Sequence, residues 1–170
     1  MLRQIVVAID QLRVEHVTDR YVGWLNDPEV TRFTEVSPGQ TRADVERYVR
    51  DAESDPNAGM WRVLANGQHV GNIRLSAIVW RHRRAEVAIV IGEKSMWGRG
   101  IATQAIRLLT GHAFGELSLH RLEAGFYPGN DASIRAFSKA GFVVEGIRKH
   151  HLMHDGEPLD CLMMAKVHGQ

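Results

Sequence analysis

The spacing of apolar side chains changes between period two and period 3.6 along the chain, and these changes predict the order of its elements. The apolar and alternating stretch over 5–14 predicts a strand or a short hairpin. Residues 21–25 are spaced as on one face of a helix, which ends at Asp27-Pro28 because a residue before proline disfavours helical dihedrals. A second helix is predicted to begin after Thr41, a residue that can cap it, and to end at Asp55-Pro56.

Three β-rich segments follow, at 60–65, 70–79 and 86–91. The first two are separated by Asn66-Gly67, the residue pair that best suits the tight primed turn of a β-hairpin. We therefore expect the middle of the chain to form an antiparallel meander.

From Gly98 the apolar positions return to period 3.6 and predict a long helix that reaches Gly115. The remaining predicted elements are a strand over 119–127, a helix over 130–140, a strand over 142–147 and a hairpin that turns at Asp155-Gly156 into a last strand over 159–167. Strands interspersed with helices predict an α+β or mixed α/β fold, in one domain that spans residues 1–170.

The composition limits the classes of protein to which the chain can belong. Of 170 residues, 44% are hydrophobic and 24% are charged, and 21 Lys and Arg against 20 Asp and Glu leave a net charge of +1. This balance excludes a disordered chain and a strongly basic nucleic-acid binder. No fully apolar run exceeds five residues, whereas a membrane-spanning helix needs roughly 20. We expect a cytoplasmic protein without a signal peptide, an internal disulfide, or a membrane or nucleic-acid partner.

The strongest chemical signal is the segment Met96-Trp-Gly-Arg-Gly-Ile-Ala-Thr103, between a predicted strand and a predicted long helix. The first turn of a helix has unpaired N–H groups and a partial positive charge, so an anion binds there readily. Gly98 and Gly100 lack the side chains that would hold a phosphate away, and Arg99 adds a cation. The same glycines could serve only to shape a loop. The segment has neither the Gly-Lys-Ser/Thr ending of a P-loop nor the third glycine of a dinucleotide fingerprint, because Thr103 stands in its place.

A second segment, Tyr127-Pro-Gly-Asn-Asp-Ala-Ser-Ile-Arg-Ala-Phe-Ser-Lys-Ala-Gly-Phe142, follows further along the chain. Together the two segments resemble the GCN5-related N-acetyltransferase (GNAT) superfamily. Its acetyl-CoA loop, Gln/Arg-x-x-Gly-x-Gly/Ala, aligns with residues 97–102, and its next helix, Asn-x-x-Ala-x-x-x-Tyr-x-Lys-x-Gly-Phe, aligns with residues 130–142. Trp24-Leu-Asn-Asp-Pro-Glu-Val30, Ala85-Glu86 and residues 97–103 are similar to the ribosomal-protein-alanine acetyltransferase branch.

The resemblance implies a GNAT fold, in which a central, mostly antiparallel sheet of six to seven strands is splayed at the cofactor site and flanked by about four helices. A bulge is expected to push the strand over 86–91 away from the strand over 119–127. Acetyl-CoA is implied as co-substrate, with its pantetheine arm between these strands. The positions implied to bind it are the backbone near Val90 and Ile91, the loop and helix start at Trp97, Gly98, Arg99, Gly100, Ile101, Ala102 and Thr103, and residues Asn130 and Phe137. Asn130 could also cap its helix.

Departures from the superfamily pattern at Trp97 and Phe137 bear on the chemistry. Trp97 replaces Gln or Arg, so we expect only its backbone N–H to serve the phosphates. Phe137 replaces the tyrosine that protonates the departing CoA thiolate in many relatives, and a phenyl ring has no proton to donate. Water or another group takes that role, or the thiolate leaves unprotonated, since an ordinary thiol has a pKa of about 8.5.

The attacking amine must lose a proton, which a carboxylate or an imidazole within reach accepts, directly or through one water. Glu86 is the first candidate for this catalytic base, because partial burial between apolar neighbours on the splayed strand would raise its pKa toward neutrality. Glu123, on the neighbouring strand, is the second. Each carboxylate could instead be an exposed strand residue that pairs with Arg83, Arg84 or Arg121.

Other residue types give weaker signals. His82 and His120 lie at strand entrances and are minor candidates for the base. The nine His residues show no ligand spacing, so we expect no metal site. Large aromatic residues could line an acceptor pocket but are more often core, and the ones in question are Trp24, Phe33, Trp61, Trp80 and Tyr127.

These observations predict an acetyl-CoA-dependent N-acetyltransferase in which a bound primary amine attacks the thioester directly. A backbone N–H near Val90 to Gly92 would polarise the carbonyl. The acceptor is left open between a protein N-terminal amine and a small-molecule amine, with an amino sugar of surface-glycan synthesis as an alternative. The rival classes are a non-catalytic CoA-binding module, which Phe137 would suit, and a nucleic-acid binder that uses Arg81 to Arg84. Assembly into a homodimer is left open.

Overall fold

In the computed structural model, which describes residues 5–170, seven strands form one sheet in the order β1-β2-β3-β4-β5-β7-β6. The strands are β1 (Val7–Gln11), β2 (Gly59–Ala65), β3 (Gln68–Val79), β4 (Arg84–Ile91), β5 (Arg121–Phe126), β6 (Val143–His154) and β7 (Glu157–Val167). β4 and β5 pair in parallel, and the other neighbouring strands are antiparallel. The predicted mixed α/β fold is confirmed, although residues 1–4 of the predicted domain lie outside the described part.

Helices pack against this sheet, and their bounds are α1 (Asp19–Leu25), α2 (Pro28–Thr31), α3 (Arg42–Ser54), α4 (Ile101–Gly115) and α5 (Asp131–Lys139). α3 begins where predicted, because the side chain of Thr41 accepts a hydrogen bond from the Asp44 N–H and that of Asp44 accepts one from the Thr41 N–H. α2 is absent from the predicted elements. Asp27-Pro28 ends α1 but also begins α2, with Asp27 as its cap and proline in its first position. No helix among the described residues is both long and apolar enough to cross a membrane.

Alternate residues of the strands pack on opposite faces of the sheet. On one face Ile73, Leu75 and Val87 pack in the main core with α4 and α5. On the other face Met60 and Val90 pack in a second core with residues from α1 to α3, including Tyr21, Trp24, Val45 and Val49. No described residue of β5, β6 or β7 belongs to the second core, so α1 to α3 cover only part of that face.

Two predicted elements have different bounds in the structure. The predicted strand or hairpin over 5–14 is the single strand β1, followed by one 3-10 turn at Val14–His16. The predicted strand over 142–147 is the start of β6, which runs for 12 residues. The pairing of β6 with β7 has two register shifts, and almost all residues of β6 are exposed. Because neither face of β6 is buried, its apolar residues do not alternate, and the sequence does not indicate where the strand ends.

The sheet opens between β4 and β5. These strands pair only over 84–86 and 121–123, and they then separate into a V whose sides are held by β3 and β7. A bulge was expected beside the splayed strand, and the structure has one in β3. There the register with β4 shifts between Ser76 and Val79, and Ala77 has a φ of 49°.

Candidate active site

The direction of the β4 backbone decides which groups face the V. Successive residues of a strand point their N–H and C=O groups to opposite edges. At the start of β4, the C=O of Arg83 accepts a hydrogen bond of 3.1 Å from the N–H of Arg121 at the start of β5. At the other end, the N–H of Gly92 donates to the Val70 C=O on the β3 side at 2.9 Å. Odd-numbered residues of β4 therefore face β5, and the backbone groups of Ile89 and Ile91 face the V.

This alternation corrects the expectation for Val90. Its backbone faces β3, and its side chain packs in the second core. Ile91 keeps its N–H for a ligand, while its C=O accepts a hydrogen bond of 2.7 Å from the Trp97 indole. A pantetheine arm in the V would meet Ile89 and Ile91 as a neighbouring strand would.

The glycine loop leads from a 3-10 turn at Lys94–Met96 into α4. Gly98 and Gly100 have φ angles of 72° and 76°, in the left-handed region that favours glycine. A Cβ placed on either would meet no described atom within 4 Å, so the backbone angle and not packing requires glycine. Gly100 caps α4 without a side chain. The first N–H groups of α4, from Ile101 to Thr103, are therefore available to an anion, with the exposed Arg99 beside them.

Trp97 braces this loop and does not bind phosphate through its backbone. Its indole donates to the Ile91 C=O, and its own N–H donates to the Lys94 C=O at 3.1 Å. The expectation that this N–H serves the phosphates is wrong, because the group is already paired. The residue instead holds the loop against the end of β4.

Asn130 stands in the N-cap position of α5, where its C=O accepts a hydrogen bond of 3.1 Å from the Ile134 N–H. Its side chain makes no capping hydrogen bond. The side-chain amide is therefore not occupied by the helix that it begins. Its role toward the cofactor stays a prediction.

Phe137 lies in the main core, where its side chain is 1% exposed. It packs edge to face against Phe126 of β5 and Phe142, with ring centroids 5.1 and 4.9 Å apart. The ring thus fastens α5 to β5 behind the V, and its own chemistry supplies no proton.

Glu86 and Glu123 are register partners at the base of the V. Glu86 is exposed, so the partial burial expected for it is absent. Glu123 is 13% exposed, accepts a hydrogen bond of 2.7 Å from Arg121 Nε and lies 3.7 Å from Arg84 Nη1. Both carboxylates were considered as possible partners of arginine, and the structure shows such pairing for Glu123. Among the described residues Glu86 forms no ion pair.

Arg121 holds a second carboxylate as well. Its guanidinium also pairs with Glu145 of β6, and these hydrogen bonds lower the pKa of Glu145. His82 and His120 are exposed just before β4 and β5, at the closed end of the V. Within residues 5–170, no three His, Cys, Asp or Glu side chains form a group that could hold a metal ion.

A cleft of about 660 Å³, which we call the acceptor cleft, lies between the α1–α2 region and the end of β6. Tyr127, which directly follows β5, lines it together with Glu35. Burial raises the pKa of Tyr127, and the charge of the Glu35 carboxylate adds to the rise. Of the other large aromatic residues, Trp24 is buried in the second core, Trp61 packs against the main core, and Trp80 is exposed.

The wall of this cleft contacts the end of β4 and the segment that leads into the glycine loop. The Trp24 indole covers Gly92 at the end of β4 so closely that an added Cβ would lie 2.1 Å from it. Lys94 Nζ lies 2.9 Å from carboxylate oxygens of both Asp27 and Glu29, at the start of α2. Hydrogen bonds to these two carboxylates raise the pKa of Lys94. Sequence spacing could not reveal these contacts, because the partners are far apart along the chain.

Comparison with known proteins gives consistent matches. The profile of the family described as "Acetyltransferase (GNAT) domain" matches residues 7–143. The chain is 27% identical over 146 residues to the uncharacterized N-acetyltransferase p20 of Bacillus licheniformis, covering 82% of this chain and 81% of that protein. It is 29% identical over 147 residues to spermidine N(1)-acetyltransferase of Escherichia coli (strain K12), covering 86% and 78%.

Among solved structures, spermidine N-acetyltransferase from Vibrio cholerae in complex with CoA and spermine superposes with a TM-score of 0.84. Its sequence identity is 20%, and 95% of each chain is covered. This likeness confirms the fold. The family match spans most of the chain. The chain therefore belongs to the GNAT acetyltransferase family and is an acetyl-CoA-dependent N-acetyltransferase.

Proposed function

We propose that this enzyme binds acetyl-CoA along the V between β4 and β5 and transfers its acetyl group to a primary amine in the acceptor cleft. The observation that carries the proposal is the pair of backbone groups at Ile89 and Ile91, which face the V between the glycine loop and the cleft. The first turn of α4 would hold the pyrophosphate, and Asn130 would bind the arm of the cofactor.

The reaction would proceed by direct attack. The lone pair of the amine forms a bond to the thioester carbon, and the carbonyl oxygen becomes an oxyanion. The N–H of Ile89 or Ile91 would donate a hydrogen bond to that oxygen. The C–S bond then breaks, and its electron pair leaves with the CoA thiolate.

Glu86 is the proposed base that takes the proton of the amine, directly or through one water. It projects from β4 at the base of the V, and its carboxylate forms no ion pair among the described residues. Glu123 is the second candidate, but two arginines already neutralise its charge.

No side-chain donor for the thiolate is assigned. The ring of Phe137 is enclosed by two other phenyl rings and has no exchangeable proton. We propose that the thiolate leaves unprotonated or takes its proton from water.

The proposed acceptor is a protein N-terminal amine, as in the ribosomal-protein branch that the sequence resembles, or a small-molecule amine. An amino sugar is the alternative. The relatives from Escherichia coli and Vibrio cholerae are named for spermidine, which adds a polyamine to the amines that must be compared. We also propose that the enzyme acts in the cytoplasm and that its branch is the ribosomal one.

A panel of amines tests transfer against the rival reading, a non-catalytic CoA-binding module. Free-thiol release from acetyl-CoA is measured with a short peptide, an amino sugar, amino acids and spermidine, and mass spectrometry identifies the acetylated product. We expect the amount of free thiol released to equal the amount of acetylated amine formed. Tight binding of acetyl-CoA by calorimetry, with no amine raising thiol release above the rate in buffer, would support the binding module instead.

A further inference from the structure

The charges that line the acceptor cleft are unequal. Glu35 is the one carboxylate among the described lining residues, whereas Arg32, His151 and His154 contribute basic groups, of which His154 lies 3.5 Å from a carboxylate oxygen of Asp155. The carboxylates of Asp27 and Glu29, on the same side of the molecule, are bound by Lys94. A polycationic acceptor would therefore find one free carboxylate and several basic side chains.

Two of the cations near the cleft have no carboxylate partner within residues 5–170. The guanidinium of Arg32 lies over the Phe33 ring, 5.0 Å from its centroid. Arg148 Nη1 lies 3.5 Å from Nε2 of His151, which lines the cleft from β6. Lys149, which follows Arg148 in β6, does have a carboxylate partner, because its Nζ lies 2.8 Å from Asp160. Arg32 lines the cleft on one side, and Arg148 lies behind His151 of the other side, and neither guanidinium has a carboxylate partner among the described residues.

Glu35 is placed to hold the reacting end of an acceptor. Glu35 and Tyr127 line the same cleft, and Tyr127 directly follows the last residue of β5. An ammonium group that pairs with Glu35 is therefore held beside the open end of the V, where the thioester would lie in the proposed function.

We infer that the acceptor is a small amine that also carries an anionic group, either a carboxylate or a phosphate, which Arg32 and the Arg148–His151 pair bind. This inference rests on the proposed function and narrows its substrate class. Guanidinium groups bind both anions through paired, charge-assisted hydrogen bonds. The volume of the cleft, about 660 Å³, is within the range of small-molecule sites. A peptide N-terminus lacks a carboxylate beside its amine, and spermidine carries only cations.

Matched pairs of amines test the inference. Each of several α-amino acids is compared with its own amide, and glucosamine 6-phosphate is compared with glucosamine, with spermidine as the polycation. The measured quantity is kcat/KM for thiol release, corrected for the unprotonated fraction of each amine. We expect at least one anionic member to exceed its neutral partner by roughly tenfold, the usual effect of a charged hydrogen bond, and to exceed spermidine. The pair that responds shows whether the anion is a carboxylate or a phosphate.

Variants connect that preference to the named residues. Arg32→Gln and Arg148→Gln are each expected to reduce the preference for the anionic acceptor by roughly tenfold, through KM and with kcat retained. Lys149→Gln is the matched control, because it removes a charge from the same strand that Asp160 already neutralises, and it should leave the preference unchanged.

The outcomes are distinguishable. Preference for neutral amines or spermidine, or an anion preference that neither arginine variant alters, would overturn the inference and leave the proposed function intact. Bound acetyl-CoA with no turnover of any amine would contradict the proposed function, and the inference with it.

Discussion

The two carboxylates at the base of the V have different surroundings although they are register partners. Glu86 is exposed and unpaired among the described residues, while Glu123 is held between Arg84 and Arg121. We therefore expect that loss of the Glu86 charge lowers turnover, whereas loss of the Glu123 charge lowers the stability of the fold.

Replacing Glu86 by Gln removes the proposed base and keeps the shape of the side chain. We expect kcat/KM to fall by roughly 10²- to 10⁴-fold, the usual contribution of a positioned general base. Activity should recover as the pH approaches the pKa of the acceptor amine, because a neutral amine needs no base. Acetyl-CoA affinity and the melting temperature should be retained, since no ion pair is lost. A pH–rate profile and a thermal melt measure both quantities.

Glu123→Gln is the matched control for this experiment. It breaks contacts with two arginines, so we expect a lower melting temperature with little pH-dependent rescue of activity. Near-normal turnover of a folded Glu86→Gln enzyme at pH 7 would transfer the assignment to Glu123 or to water.

Phe137→Tyr tests whether the missing acid limits the rate. The added hydroxyl enters a site that is 1% exposed and is lined by Phe126 and Phe142. We expect kcat to rise by less than about tenfold, equivalent to about 1.4 kcal/mol, together with a loss of stability if the hydroxyl finds no partner. Phe142→Tyr adds a hydroxyl to the same aromatic cluster and serves as the control. A gain in kcat far above tenfold, absent from the control, would show that a tyrosine donor is rate-determining.

At the scale of elements, the junction between the glycine loop and α4 has the backbone shape on which the proposed binding of the cofactor depends. Gly100→Val forces a branched residue into a left-handed conformation and places its Cβ in the space beside the first turn of α4. We expect both lower stability and a large loss of acetyl-CoA affinity by calorimetry. Gly67→Val, in the β2–β3 turn with a φ of 79° and equally open surroundings, should lower stability alone. Equal affinities in the two folded variants would leave the loop with a structural role only.

The contact between α1 and the end of β4 supports a second prediction at this scale. Gly92→Ala places a methyl group 2.1 Å from the Trp24 indole, so α1 must move away. We expect a loss of about 1–3 kcal/mol in stability and a higher KM for the acceptor, because residues that follow Trp24 line the cleft. Gly23→Ala is the control, because it lies on α1 and no atom lies within 4 Å of the new Cβ. We expect it to leave the KM for the acceptor unchanged and not to lower the stability. An unchanged KM for the acceptor in a folded Gly92→Ala enzyme would show that the contact between Trp24 and Gly92 does not position the residues of the cleft.

For the whole molecule, a ligand that binds only the folded chain raises its stability by RT ln(1 + [L]/Kd). Acetyl-CoA at about 100 times its Kd should therefore add roughly 2.7 kcal/mol and raise the melting temperature by several degrees. Differential scanning fluorimetry measures the shift, and the Gly100→Val variant should show a smaller one. No shift at millimolar acetyl-CoA would contradict the proposed position of the cofactor.

Much of the fold could be predicted from the sequence because it depends on local physics. Asn66-Gly67 and Asp155-Gly156 adopt positive φ at both residues and turn the chain where predicted. Thr41 caps α3, and the period of the apolar residues after Gly100 gives α4 its buried face. The glycine loop and the Asn130 helix also carry enough of the family pattern to indicate the GNAT fold, which the comparisons confirm.

The working parts of the site, by contrast, depend on how distant elements pack. Which β4 residues face the V follows from its pairing with β3 and β5, so the backbone of Ile89 faces the V and that of Val90 does not. The indole of Trp97 becomes a brace only because Ile91 lies beside it, and pairing with arginine distinguishes Glu123 from Glu86. The acceptor cleft joins the α1–α2 region, Tyr127 and β6, which are far apart in sequence. The sequence by itself therefore determined turns, caps and apolar faces, whereas hydrogen-bond partners and charge balance were decided by tertiary packing, because both depend on distances between residues that the chain does not place next to each other.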